Sequence, residues 1–167
     1  MMQEVTVDGI VLDVKTKTPV IVLKDNSGER KLPIYIGKYL AIAVLSATKK
    51  DKSPRPMTHD LLANFLDTWA MKLERIMINY FENNTYFAVL VVKQNGTIKE
   101  IDCRPSDAIA LAMRTDSPIL VSESLMNNNS VSSEQNESDY MPYQDNLTNK
   151  KKPHKFFISN FLNRLRN

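Results

Sequence analysis

Apolar and polar residues alternate through "MQEVTVDGIVLDV" (2–14), first from Val5 to Val7 and then from Ile10 to Val14. A period of two predicts a strand with one buried face, and Gly9, at the interruption, marks a bulge or bend. "PVIVLKD" and "RKLPIYI" repeat the strand pattern on either side of "DNSG" (25–28), a turn sequence that makes them a hairpin. Past Gly37 the period changes, and "KYLAIAVLSATKK" predicts a helix. A loop with two prolines, "KKDKSPRP" (49–56), leads to a second helix, capped by Thr58 and running to about Met71, with Trp69 on its buried face. "KLERIMINYF", "TYFAVLVVK" and "TIKEIDC", separated by "ENN" and "QNG", predict an antiparallel meander. A small apolar helix over 105–114 and a short strand, "PILVS", complete the pattern. The expected fold is α+β: one domain over 1–126, with a mixed, mostly antiparallel sheet packed with about three helices. Strands 2–14 and 118–121 are expected at sheet edges, and unpaired edges make a homo-oligomer the expectation.

The pattern breaks at Asn127. "NNNSVSSEQNESDYMPYQDNLTNKKKP" has almost no aliphatic content, so 127–153 is expected to be a flexible linker. In "HKFFISNFLNRLRN" (154–167), Phe157, Phe161 and Leu165 recur every fourth residue with Ile158 and Leu162 beside them. That is a short basic amphipathic helix, expected to rest on a protein or an anionic membrane surface.

Charge narrows the picture. Of the 22 Lys and Arg and 19 Asp and Glu, residues 1–126 hold 16 and 15, so the predicted domain is near neutral. Affinity for nucleic acid normally draws on clustered positive charge, which is absent there. A single cysteine, Cys103, fits a reducing cytoplasm and reads as a small buried apolar residue, with a reactive thiolate beside Arg104 as the sharper alternative. No apolar run approaches the roughly 20 residues needed to span a bilayer. Asp25, Glu29 and Lys31 have a nuclease-like D-x3-E-x-K spacing, but it straddles a hairpin turn and reads as coincidence.

Chemistry concentrates in "IDCRPSDAIALAMR" (101–114). Pro105 suits a first helical turn, Ser106 is placed to cap, Asp107 meets the positive end of the helix dipole and Arg114 meets its negative end. Arg104 has no such duty. "RPMTHD" (55–60) repeats the arrangement: Arg-Pro, a hydroxyl, an acid. Two readings follow. In one, Arg55 and Arg104 pair with Asp60, Asp102 or Asp107 and hold loops together. In the other, two helix N-termini and two guanidiniums frame an anion pocket, with carboxylates for a divalent cation and His59 to move a proton.

"LPIYIG", "RPMTHDLL", "YFAVLVV", "IDCRPSDAIALAMR" and "PILVSE", in this order and spacing, resemble the bifunctional nuclease (BFN) domain family over about residues 3–126. The resemblance implies a single α+β domain with DNase and RNase activity. Its signature maps onto Arg55, Pro56, Thr58, His59, Asp60, Asp102, Arg104, Pro105, Ser106, Asp107, Arg114, Ser122 and Glu123. The site expected on this basis has His59, Asp60, Asp102 and Asp107 as catalytic residues and Arg55, Thr58, Arg104, Ser106 and Arg114 as substrate-binding residues. Asp102 and Asp107 would carry Mg2+ or Mn2+, and DNA or RNA would be the partner. One position departs: where the family usually has Glu three residues past the Gly of "PIYIG", this chain has Leu40. The rival reading is a non-catalytic binding or regulatory module, or an adaptor working through 154–167.

Overall fold

The computed structural model describes residues 1–48, 53–132 and 139–143. The order of elements is β1 (Met2–Asp13), β2 (Pro19–Asp25), β3 (Arg30–Tyr35), α1 (Lys38–Thr48), α2 (Thr58–Thr68), β4 (Lys72–Glu82), β5 (Thr85–Gln94), β6 (Thr97–Cys103), α3 (Pro105–Thr115), β7 (Ile119–Ser122), α4 (Glu123–Asn129), β8 (Val131–Ser132) and β9 (Tyr140–Pro142). This is the α+β architecture that the periodicity predicts. The strands form one mixed sheet in the order β6-β5-β4-β7-β1-β2-β3-β8, with β9 on the far end of β1. Every pairing is antiparallel except β4 with β7.

Two local hairpin systems, β1–β2–β3 and β4–β5–β6, are thus spliced by β7, which pairs with Met2–Val5 on one side and Ile76–Ile78 on the other. β1 and β7 are therefore interior strands, contrary to the edge placement expected from sequence. The outermost strands are β6 and β8, so the edge argument for self-association falls. Sequence periodicity locates a strand but does not say which distant strand it meets. The bulge anticipated at Gly9 is present, as a register shift between Val7 and Gly9.

The core lies between the sheet and α1, α2 and α3. Ile21, Leu23 and Leu32 meet Ile76, Ile78, Ile109, Leu111 and Val121 there. α3 is buried almost all round because Ala108, Ala110 and Ala112 let it approach its neighbours closely. Ala110→Leu should therefore overpack this contact and cost about 1–3 kcal/mol, read as a lower urea midpoint with an unchanged m-value.

Three details differ from the sequence reading. Met57, not Thr58, is the N-cap of α2, and its N–H is accepted by the Asp60 carboxylate at 2.8 Å. Trp69 lies at the C-cap, 58 % exposed, because Ala70 turns the chain at φ 51 toward β4 and leaves the indole outside against Phe65. Within 127–153, the described residues carry structure: α4 runs to Asn129, β8 pairs with β3 and β9 pairs with β1. Ser122 Oγ caps α4 through Leu125 N–H, and buried Leu125 and Met126 anchor it; the asparagines that follow conceal it from a hydropathy reading. Residues 154–167, with their amphipathic pattern, lie outside the described residues. No helix among the described residues is long and apolar enough to cross a membrane.

Candidate functional site

The α3 mouth is built by its sequence. Arg104 is the N-cap in extended backbone (φ −73, ψ 141), as a residue before proline prefers. Pro105 follows at the first helical position, and the N–H groups of Asp107 and Ala108 both reach the Arg104 carbonyl at 3.1 Å. Ser106 is buried in the first turn and does not cap. The cap position falls two residues earlier than the hydroxyl suggested.

The first turn of α2 packs against α3 and brings the two Arg-Pro motifs together. His59, 8 % exposed, places Nε2 3.0 Å from Asp107 Oδ1. A carboxylate only accepts, so the ring nitrogen donates. The second oxygen of Asp107 accepts from Arg104 Nε at 2.7 Å. Asp107 is therefore held by an imidazole from one motif and a guanidinium from its own. This His–Asp contact is a feature that the Arg-centred reading of the sequence missed; its signal was a His and an Asp, each in the first turn of a helix introduced by Arg-Pro.

Asp60 and Arg114 form the second link. Arg114 Nε donates to Asp60 Oδ1 at 2.5 Å, Nη1 to the Ala43 and Ala110 carbonyls at 3.0 and 2.8 Å, and Nη2 to Ser46 Oγ at 2.7 Å. Its side chain is 7 % exposed. Arg114 thus ties α1, α2 and α3 together, and its donors are committed to the protein rather than open to a substrate. Burial by itself would raise the Asp60 carboxyl; the Arg114 guanidinium and the Met57 N–H outweigh it and hold that carboxyl below the usual carboxylate range.

The other expected residues are placed differently. Arg55 and Thr58 are exposed. Asp102 is exposed on β6 and pairs in register with Val89, whereas Cys103 pairs with Ala88 of the core. Side chains alternate along a strand, so Asp102 lies on the sheet face opposite the one that α3 covers. It does not join Asp60 and Asp107. Among the described residues no group of three or more His, Cys, Asp or Glu side chains is arranged to hold a metal ion, and both oxygens of Asp107 are already engaged. The donor set does not fit a resident Mg2+ or Mn2+ cage.

Burial, reinforced by the negative charges of Asp102 and Asp107, pushes the Cys103 thiol up to about 11, which overturns the reactive-thiolate alternative. Asp25, of the nuclease-like spacing, is a buried turn anchor. Its carboxylate accepts from Ser27 Oγ and the N–H groups of Gly28, Glu29 and Arg30. Leu40, at the usual glutamate position, sits in α1 packed against the core. A groove of about 400 Å³ lined by Thr6, Val7, Met113, Asp116 and Pro118 lies at the C-terminal end of α3, away from His59 and Asp107.

The family model for the bifunctional nuclease domain matches residues 21–134. The chain belongs to the bifunctional nuclease domain family. An uncharacterized protein of Mycobacterium tuberculosis is 35 % identical over 125 residues, covering 75 % of this chain and 74 % of the relative. Bifunctional nuclease 2 of Oryza sativa subsp. japonica is 31 % identical over 111 residues, 64 % of this chain and 34 % of that protein. Bifunctional nuclease 1 of Arabidopsis thaliana is 29 % identical over 111 residues, again 34 % of its length. Both helix mouths lie inside the residues that the family model matches.

Proposed function

We propose that this bifunctional nuclease domain hydrolyses phosphodiesters of DNA or RNA where the first turns of α2 and α3 meet. The observation that carries the proposal is the His59–Asp107 contact between two helices that each begin with Arg-Pro. With its Nε2–H donated to Asp107, a neutral imidazole has its lone pair on Nδ1. His59 takes a proton there from the attacking water as the new P–O bond forms. Asp107 stabilises the resulting imidazolium, and the proton passes to the leaving oxygen as the old P–O bond breaks. The exposed guanidiniums of Arg55 and Arg104 bind the non-bridging phosphate oxygens, where charge grows in the transition state.

The test is cleavage of fluorogenic single-stranded DNA and RNA by highly purified protein, with and without EDTA. His59→Gln should lower kcat by about 10²- to 10⁴-fold with a retained circular dichroism spectrum, and Arg55→Ala should mainly raise KM. Equal cleavage by all variants removes the catalytic assignment. A second reading, a non-catalytic anion-binding module, is favoured by the burial of His59 and by Leu40 at the glutamate position. It calls for no turnover and a ligand-dependent rise in melting temperature.

A further inference from the structure

The hairpin of β4 and β5 runs past both of its sheet neighbours. β6 stops pairing at Ala88 and β7 at Ile78, so residues 79–87 project together. Asn83 and Asn84, with φ 48 and 60, make the tight two-residue turn at the tip. Each face of the tip carries an aromatic pair. Phe81 and Tyr86 meet at 4.5 Å between ring centroids, and Tyr80 and Phe87 stack at 4.6 Å. The two pairs differ in what lies beside them. Tyr86 shares its sheet face with Ala88 and packs against the core, with Phe81 exposed beside it. Ala88 is level with Cys103, the residue before Arg104. Tyr86 lies two residues further along the strand, roughly 7 Å, on the helix-covered face and beside the α3 mouth. From Ile76 to Val92 the sequence has a single charged residue, Glu82. An uncharged aromatic shelf thus adjoins a helix mouth that carries exposed guanidiniums.

A single-stranded nucleic acid has both complements: phosphates for Arg55 and Arg104, and unpaired bases whose flat faces stack on aromatic rings. A duplex presents the phosphates and hides the base faces. We propose that Phe81, supported by Tyr86, is a base-stacking platform that makes unpaired DNA or RNA the substrate class of this domain. The inference rests on the proposed phosphodiesterase site for its location, and its test does not depend on cleavage.

Binding is measured by fluorescence anisotropy in EDTA with the full chain and three labelled DNA probes of equal length. These are a phosphorothioate single strand, the same strand with abasic sugars in place of nucleosides, and a blunt duplex. The base-bearing single strand should bind about tenfold or more tightly than either of the others. Phe81→Ala should weaken it about tenfold while leaving abasic binding unchanged. Tyr80→Ala, on the opposite face of the same hairpin, should leave both within twofold. Thermal melts of each variant exclude unfolding as the cause. Base-dependent binding lost in Phe81→Ala upholds the platform even if cleavage by the wild type fails. Equal affinity for base-bearing and abasic strands, or no effect of Phe81→Ala, overturns it even if cleavage succeeds. No binding of any probe, or a Phe81→Ala variant that changes only the molar mass in solution, also overturns it; the second result would make the tip a self-association surface.

Discussion

Arg114→Ala is expected to destabilise the domain by about 2–3 kcal/mol: the Arg114 side chain is 7 % exposed, while its partner Asp60 is 35 % exposed and regains water when the pair is broken. The loss has three parts. Asp60 keeps its charge without its guanidinium. The Ala43 carbonyl and Ser46 Oγ lose their donors. The link that ties α1 and α2 to α3 is lost. Arg114→Lys should recover only a fraction, because an ammonium has no planar fork to reach Asp60, two carbonyls and a hydroxyl at once. Urea unfolding followed by circular dichroism measures both. A variant within about 0.5 kcal/mol of wild type would show that the three helices hold together without it.

The second large effect is at the β2–β3 turn. The Asp25 side chain is 1 % exposed and gathers four donors from the turn itself, then Arg30 Nε at 3.0 Å. Arg30 carries the connection outward: Nη1 to Glu123 Oε1 and Asn127 Oδ1, and Nη2 to Gln3 Oε1. One buried carboxylate therefore orders a turn and, through one guanidinium, fastens α4 to the start of β1. Asp25→Asn should cost about 3 kcal/mol, since the amide has one acceptor oxygen where the carboxylate has two, and either the turn N–H groups or Arg30 Nε lose their acceptor, Arg30 keeping only its pair with Glu123. The pH dependence has a definite sign. Burial would raise the Asp25 carboxyl, but Arg30, Ser27 and the turn N–H groups prevail and hold it below the usual range, as Arg114 does for Asp60. A carboxyl whose pKa is depressed by folding contributes stability above its unfolded value, about 3.9. That contribution is lost as pH falls through the folded value. The melting temperature should stay level from about pH 7 to 5 and fall steeply below about pH 4, with a shallower fall in Asp25→Asn. An equal acid slope in both proteins would show that Asp25 titrates alike in folded and unfolded chains.

Strand periodicity revealed the β2–β3 hairpin and the β4–β5–β6 meander because each is closed by short turns and needs only local information. The placement of β7 between them was hidden, because four residues carry no label for distant partners. The helix mouths were legible as motifs, and the structure brings His59 and Asp107 together. Their division of labour was not legible. Asp60 and Arg114, equal candidates in sequence, became a brace between helices, while Arg55 remained exposed. Which carboxylate meets which cation depends on how α2 crosses α3, and nothing in either segment's own pattern fixes that crossing. Asp102 shows the opposite limit: its strand parity sends it away from the cluster, and parity could be counted from Cys103 once β6 was recognised.

The position of β7 has a consequence for synthesis. A ribosome that has delivered the first 103 residues has released both hairpin systems, each with an edge that the native protein never shows: the Met2–Val5 flank of β1 and the Ile76–Ile78 flank of β4. Both wait for residues 119–122 to emerge. During that interval the nascent chain is open to pairing with a neighbour on the same message, and the four residues Ile119–Ser122 close both flanks in one step.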